Sequence, residues 1–231
     1  MNLKLGADAT LHSMVKVRLT REQSREQTRQ RLLDAAQTLF LAKGYLASSV
    51  EDIAEEAGYS RGAFYSNFAS KAEMFLELLR RDHETVMSEM AALFDDRASR
   101  AEMEARVVAF YSQKHRDNKC FLLWIEAKLQ SARDPVFRNG FLSFLREQRA
   151  TIAEFARQFS ARVGTPLTMP PEQLALGLLA LSEGMQFSYA FDPQEVSAEL
   201  AQVVLAGFFE RVVFDRPPAT GPSACSLPDA P

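Results

Sequence analysis

The stretch SVEDIAEEAGYSRGAFYSNFASKAE, residues Ser49 to Glu73, contains three helix starts with almost no slack between them. Ser49 stands where an N-cap stands, Asp52 is at the third helical position, and Ile53, Ala54 and Ala57 continue the apolar spacing from Val50 until Gly58 breaks it. A second helix starts after Ser60. Its Phe64 and Phe68 are four apart and stack on one face, which leaves Arg61, Gly62, Tyr65 and Ser66 together on the other. Ser70 and Glu73 then form a capping box ahead of Met74, Leu76, Leu78 and Leu79. Short helix, tight glycine turn, short helix is the geometry that lays a recognition helix in the major groove of DNA.

Upstream, the spacing of Leu32, Leu33, Ala36, Leu39 and Phe40 predicts a helix that starts between Ser24 and Thr28 and ends at Lys43, with Gly44 as its stop. In this order TRQRLLDAAQTLFLAKGY (Thr28 to Tyr45), SVEDIAEEAG and SRGAFYSNFASK resemble the DNA-binding domain of the TetR family of bacterial transcriptional regulators. The resemblance implies an all-α fold: an N-terminal three-helix helix-turn-helix domain followed by a larger helical ligand-binding and dimerisation domain. It also implies that Arg61 and Gly62 approach bases, Tyr65 contacts a phosphate or a thymine methyl, and Ser48 and Lys71 contact phosphates. Ser66 and Asn67 stand where many relatives carry histidine or tyrosine, so the base preference stays open. The mechanism implied is repression, relieved when a ligand changes the spacing of two recognition helices on a palindromic operator.

The rest of the chain divides by composition. Residues 1–23 read as a flexible basic arm, 24–70 as the DNA-binding domain, 71–215 as the helical ligand-binding and dimerisation domain, and the proline-rich 216–231 as a disordered tail. Helices are predicted from Lys71 to about Phe94, Glu102 to His115, Asn118 to Gln130, Pro135 to Val163, Pro171 to Phe191 and Gln194 to Phe214. Net charge is −3, yet six basic residues against two acidic ones between Lys16 and Arg31 make a local excess of four positive charges. The segment before Ser24 reads either as an arm entering a minor groove or as a solvated tail.

Two C-terminal helices carry a self-association pattern. Leu174, Leu178, Leu181 and Met185 form one stripe beside Gly177 and Gly184, and Leu200, Val203 and Gly207 continue a second stripe from Val196. The expected product is a homodimer built on a four-helix bundle. For the small-molecule effector, Phe110, Phe121, Trp124 and Phe144 supply large apolar side chains among the middle helices. Glu126 and Gln186, and beside the latter Glu183, are polar residues within apolar runs.

Other classes are disfavoured. The most apolar run, Leu174 to Phe191, is interrupted by Gly177, Ser182, Glu183, Gly184 and Gln186, and the N-terminus lacks the apolar core of a secretory signal, so a cytoplasmic protein is expected. Cys120 and Cys225 read as reduced thiols, and His115 and Cys120 are badly spaced for a shared metal. No phosphate-binding loop, GxSxG, HExxH or dinucleotide turn occurs, so no catalytic residue, cofactor or metal is assigned and an enzyme is not expected. The competing class is a dimeric helical small-molecule binder without specific DNA readout.

Overall fold

The computed structural model describes residues 20–93, 98–117 and 120–214, with side chains at all of these except 114–117. The regular elements among the described residues are helices, with no strand. They run α1 Arg21–Lys43, α2 Val50–Glu56, α3 Arg61–Tyr65, α4 Lys71–Ala91, α5 Arg100–Asp117, α6 Phe121–Arg133, α7 Pro135–Val163, α8 Pro171–Phe191 and α9 Ala198–Phe208, followed by a π-helical turn Phe209–Val213. The expected all-α architecture is the one observed. The arm, the tail with Cys225, and the side chain of His115 lie outside the described residues.

The first four helices begin where side chains can close the free backbone N–H groups. Thr20 and Gln23 form a reciprocal capping box, which starts α1 ahead of the Ser24–Thr28 window. Ser49 and Asp52 do the same for α2. Ser60 accepts from the Ala63 N–H at the start of α3, and Ser70 accepts from the Glu73 N–H at the start of α4. The expected box at Ser70 is shifted by one residue, since the Glu73 carboxylate reaches back to the Ala69 N–H. Both long helices predicted to open on a proline, Pro135–Val163 and Pro171–Phe191, have those limits. The last helix starts at Ala198 under a Ser197 cap, later than the expected Gln194.

Two hydrophobic clusters organise the chain. The first joins Leu32, Phe40, Ile53, Phe64 and Phe68 of the helix-turn-helix unit to Phe75 of α4, Leu123 of α6, and Phe137, Phe141 and Phe144 of α7. The second gathers Met103, Ile152, Phe159, Leu174, Leu178 and Phe209 from α5, α7, α8 and the C-terminal turn. Helix α7, 29 residues and so about 44 Å long at 1.5 Å per residue, belongs to both. The core of the N-terminal unit therefore does not stop at residue 70. It continues through the stacked rings of Tyr45, Phe75 and Phe137 into the helices that follow.

The inward face of α8 is a correction. Leu174 is 0% and Leu178 5% exposed within the second cluster, so neither is available to a partner, and Leu181 and Met185 are half-buried. The face turned outward carries Leu176, Phe187 and Phe191. Because α8 is apolar nearly all round, periodicity could not choose which stripe the chain would keep for itself. In α9, Leu200 and Val203 are exposed, and Gly207 is half-buried. No helix among the described residues is long and apolar enough to cross a membrane.

Candidate functional site

The recognition face is built from a five-residue helix, too short to hold itself together. Phe64 (0% exposed) and Phe68 (1%) fasten α3 to the first cluster, and their burial turns Arg61, Gly62, Tyr65 and Ser66 outward together. Its far end is braced from α1. Arg25 donates to the Ser66 carbonyl at 3.3 Å, and Arg29 donates to the Asn67 carbonyl at 2.7 Å. Arg29 also lies 4.2 Å over the Phe68 ring and pairs with Glu77 at 3.1 Å. Cations at the end where helix carbonyls collect are favourable. Part of the basic run seen in the sequence therefore supports the recognition helix instead of lying free along it. Arg61 pairs with Glu51 of α2 at 2.6 Å, both being more than half exposed, and its guanidinium stands 5.5 Å from the Tyr65 ring. An exposed pair of this kind exchanges readily for another anion.

Three expected DNA contacts are not presented. Ser48 is 1% exposed and its hydroxyl donates to the Gly44 carbonyl at 2.9 Å. The Lys71 ammonium donates to the carbonyls of Tyr45 and Ser48 at 2.8 and 2.6 Å and sits 4.3 Å over the Tyr45 ring. Burial accordingly lowers its pKa below the usual lysine value. Asn67 folds its amide back to the Ala63 carbonyl at 2.8 Å. All three are spent holding turns, a role that residue type and spacing do not distinguish from phosphate binding.

The turn that Lys71 holds is also gripped from the other side. Glu126 of α6 accepts the Tyr45 N–H at 2.6 Å. Gly44 adopts φ +87, and a Cβ there would stand 2.8 Å from the Glu126 Oε1. Glu126 therefore is not on the lining that the other expected ligand residues share, which corrects the expectation; its carboxylate satisfies a backbone donor in the joint between α1, α2 and α6. Tyr45, pushed up to about 12 by burial and then by Asp134, is a packed phenol and not an acid at neutral pH.

A cavity of about 400 Å³ opens between α4, α5, α6, α7 and α8. Of the expected ligand residues, Phe110, Phe121, Trp124 and Gln186 line it. Phe144 does not: it is buried behind the wall, stacked on Trp124 at 5.6 Å. Residues that sequence reasoning missed complete the lining, among them Asp82, Lys128, Gln148 and Ser182. Asp82 accepts the Trp124 indole N–H at 2.7 Å, and Lys128 pairs with Glu183 at 2.5 Å. Burial holds His83 below the usual imidazole range, so it is neutral near pH 7. Cys120, pushed up to about 12 by burial and then by Asp82, accepts from Gln37 and stays a thiol. Among the described residues, no group of acidic, histidine and cysteine side chains is arranged to hold a metal ion.

Comparison with known proteins bears on the N-terminal unit. The model for bacterial regulatory proteins of the tetR family matches residues 32–78. The HTH-type transcriptional activator FasR of Mycolicibacterium smegmatis is 33% identical over 103 residues, 44% of this chain and 47% of that protein. The HTH-type transcriptional regulator TtgR of Pseudomonas putida is 44% identical over 69 residues, 30% of this chain and 32% of that protein. The matched part thus spans less than half of each of these relatives, and both are named as transcriptional regulators. Likeness of fold extends further. The crystal structure of a putative transcriptional regulator from Saccharomonospora viridis in complex with choline matches with a TM-score of 0.63, covering 80% of this chain and 96% of that one at 24% identity.

Proposed function

We propose that this chain, whose residues 32–78 are a TetR-family DNA-binding domain, is a ligand-responsive transcriptional regulator that reads a palindromic operator as a homodimer. The observation that carries the reading is the outward group of Arg61, Gly62, Tyr65 and Ser66 on a helix anchored by Phe64 and Phe68. Arg61 exchanges Glu51 for a base edge or phosphate, and the absence of a side chain on Gly62 lets the helix start approach the groove closely. Residues 24–70 form the reading unit, and 71–215 the ligand-binding and dimerisation part.

The dimer uses the outward faces of α8 and α9. Leu176, Phe187, Phe191, Leu200 and Val203 are each 46–67% exposed, a concentration of apolar surface on adjacent helices that marks an interface. Nothing stands within 4 Å of a Cβ built on Gly184 or Gly207, so a neighbouring backbone has room to approach there. Pairing through this surface sets two recognition helices about 34 Å apart, one helical turn of DNA. Phe187 and Gly184 also line the cavity, so the partner lies beside its mouth.

The effector is an apolar or aromatic small molecule held in the cavity, and its binding releases the operator; a structure of this fold from S. viridis holds choline, which supports a small-molecule site. The path is short: Trp124, Ile125 and Lys128 face the cavity from α6, while Glu126 of the same turn holds Tyr45 in the DNA-binding unit. Repression is the sense proposed.

DNA selected from a random pool by the purified chain and then footprinted tests the reading. A protected palindrome is expected, with Arg61→Ala weakening it by about 1–3 kcal/mol and leaving thermal unfolding unchanged. Protection without sequence preference, falling uniformly with salt, would point instead to a dimeric small-molecule binder.

A further inference from the structure

The effector cavity is not the end of the empty space around it. A smaller void of about 40 Å³ meets it at Met90, Tyr111 and Ile152, which line both. Apart from the Tyr111 phenol, every residue on the void's lining is apolar, Val107 of α5, Ala156 of α7 and Leu178 of α8 among them. The charged groups of the two linings, Asp82, Lys128 and Glu183, all belong to the larger cavity. Exposure runs the same way. Phe187 is 50% exposed and the side chains of Lys128 and Glu183 39% and 42%, whereas Met90 and Ile152 are 6% and 5%. Together the two spaces have an exposed, charged end and a buried, apolar one.

The partition between them has one part that can move. Tyr111 is held by ring contacts with Phe110 at 5.5 Å and Phe209 at 5.0 Å. Ile152 is β-branched on a helix, which leaves it one favoured rotamer. Met90 is unbranched with three rotatable bonds, and it stands next to the last residue of α4. The space that a methionine vacates is that of a single unbranched chain. An empty space in a core costs stability, so an occupant that fills it is favoured.

Charge sets the other end. Lys128 is paired with Glu183 at 2.5 Å, which leaves the Asp82 carboxylate as excess negative charge on the lining. Asp82 accepts the Trp124 indole N–H at 2.7 Å, so that charge lies against an aromatic side chain, a combination that suits an organic cation.

We propose that the effector is an amphipathic cation with one unbranched alkyl chain, its head held among Asp82, Trp124 and Glu183 and its chain passing Met90 into the void. This rests on the larger cavity's being the effector site. Passage of the chain displaces a residue of α4, the helix whose first residue, Lys71, holds the Tyr45–Ser48 turn.

Trp124 is the chain's one tryptophan and lines the larger cavity, so its fluorescence reports the arrival of a ligand. The full-length, DNA-free protein is titrated with octyl-, dodecyl- and tetradecyltrimethylammonium below their micelle concentrations, and with tetradecanoate. Affinity is expected to climb by about fourfold per methylene until both spaces are full, with tetradecanoate weaker than the cation of the same chain. Ala156→Leu and Val107→Phe add bulk to the void from two helices, and neither residue lines the larger cavity. With native helical circular dichroism confirmed, each is expected to weaken the tetradecyl cation by about tenfold, the loss of roughly two buried methylenes, and to leave the octyl cation unchanged. Tetradecyl binding that survives both substitutions, octyl binding lost along with it, tetradecanoate as tight as the cation, or no binding of any chain overturns the assignment. In Met90→Ala the tetradecyl cation is expected to associate faster in stopped flow; an unchanged rate removes Met90 as the gate. If the selectivity holds but the tetradecyl cation leaves operator affinity unaltered, the chain site stands and the release reading fails.

Discussion

Arg61 and Lys71 are basic residues near the starts of neighbouring helices, and the chain uses them in opposite ways. Arg61 is held by exposed side chains, an ion pair with Glu51 and the Tyr65 ring beside its guanidinium, at no cost to the core if it lets go. Lys71 closes two backbone carbonyls of the Tyr45–Ser48 turn and covers the Tyr45 ring. The recognition face thus carries an arginine free to change partners, beside a Ser66 whose hydroxyl donates to the Gly62 carbonyl at 2.9 Å. The Gly44–Ser48 turn is a joint whose polar groups are committed, with Glu126 from one side and Lys71 from the other. What separates the two is the partner: solvent and a flexible side chain in one case, buried main chain in the other.

The joint is most sensitive at the ring stack that carries it. Phe75 is 0% exposed, stacked on Tyr45 at 4.6 Å and on Phe137 at 5.6 Å. Phe75→Ala is expected to destabilise the chain by about 3–5 kcal/mol in denaturant unfolding. Arg61→Ala should leave that midpoint where it is; equal effects at both sites would erase the distinction.

At the turn itself the expected effect is smaller. Gly44→Ala combines φ +87 with a Cβ only 2.8 Å from the Glu126 Oε1, and the strain is expected to cost about 1–3 kcal/mol. Glu126→Ala alone leaves the Tyr45 N–H without its acceptor, for about 1–3 kcal/mol. The double variant should lose less than the sum, because removing the carboxylate relieves the contact but not the backbone conformation. Strict additivity in a double-mutant cycle would show that the two residues do not meet.

The smallest effect lies at the start of α2, where hydrogen bonds from Lys43, and then from Ser49, hold the Asp52 carboxyl at about 2 against an ordinary 3.8. A depressed folded-state value means that the cap contributes stability fully above the ordinary value and loses it as pH falls toward 2. The unfolding midpoint of Asp52→Asn should therefore lie below that of the wild type at pH 6 and converge with it near pH 2. A gap that persists at pH 2 would assign the effect to packing.

Much of the fold is legible without coordinates because its punctuation is local. Ser49 with Asp52, Ser60, Ser70 and Asp134 before Pro135 announce helix starts through contacts only two to four residues long, and Pro171 does so by its fixed backbone angle alone. Thr20 with Gln23 carries the same signature and was there to be read. The outward grouping of Arg61, Gly62, Tyr65 and Ser66 follows from the burial of Phe64 on α3 and of Phe68 just beyond its end. No comparable signal marks Gln148 or Ser182, each one of several polar residues on a long helix.

Local spacing was enough for the starts of α2, α3, α4, α7 and α8, for an all-α chain, and for which side of α3 faces away from the core, since each depends on spacings shorter than two turns, whereas α1 and α9 start outside the expected positions. Tertiary structure decided the rest. It turned Leu174 and Leu178 inward and Leu176 and Phe187 outward on an almost wholly apolar α8, gave Ser48 and Lys71 to the backbone, and set Glu126 against a turn 81 residues away. A carboxylate or ammonium takes whichever unpaired group packing brings within reach, and that neighbour is fixed only when distant helices meet.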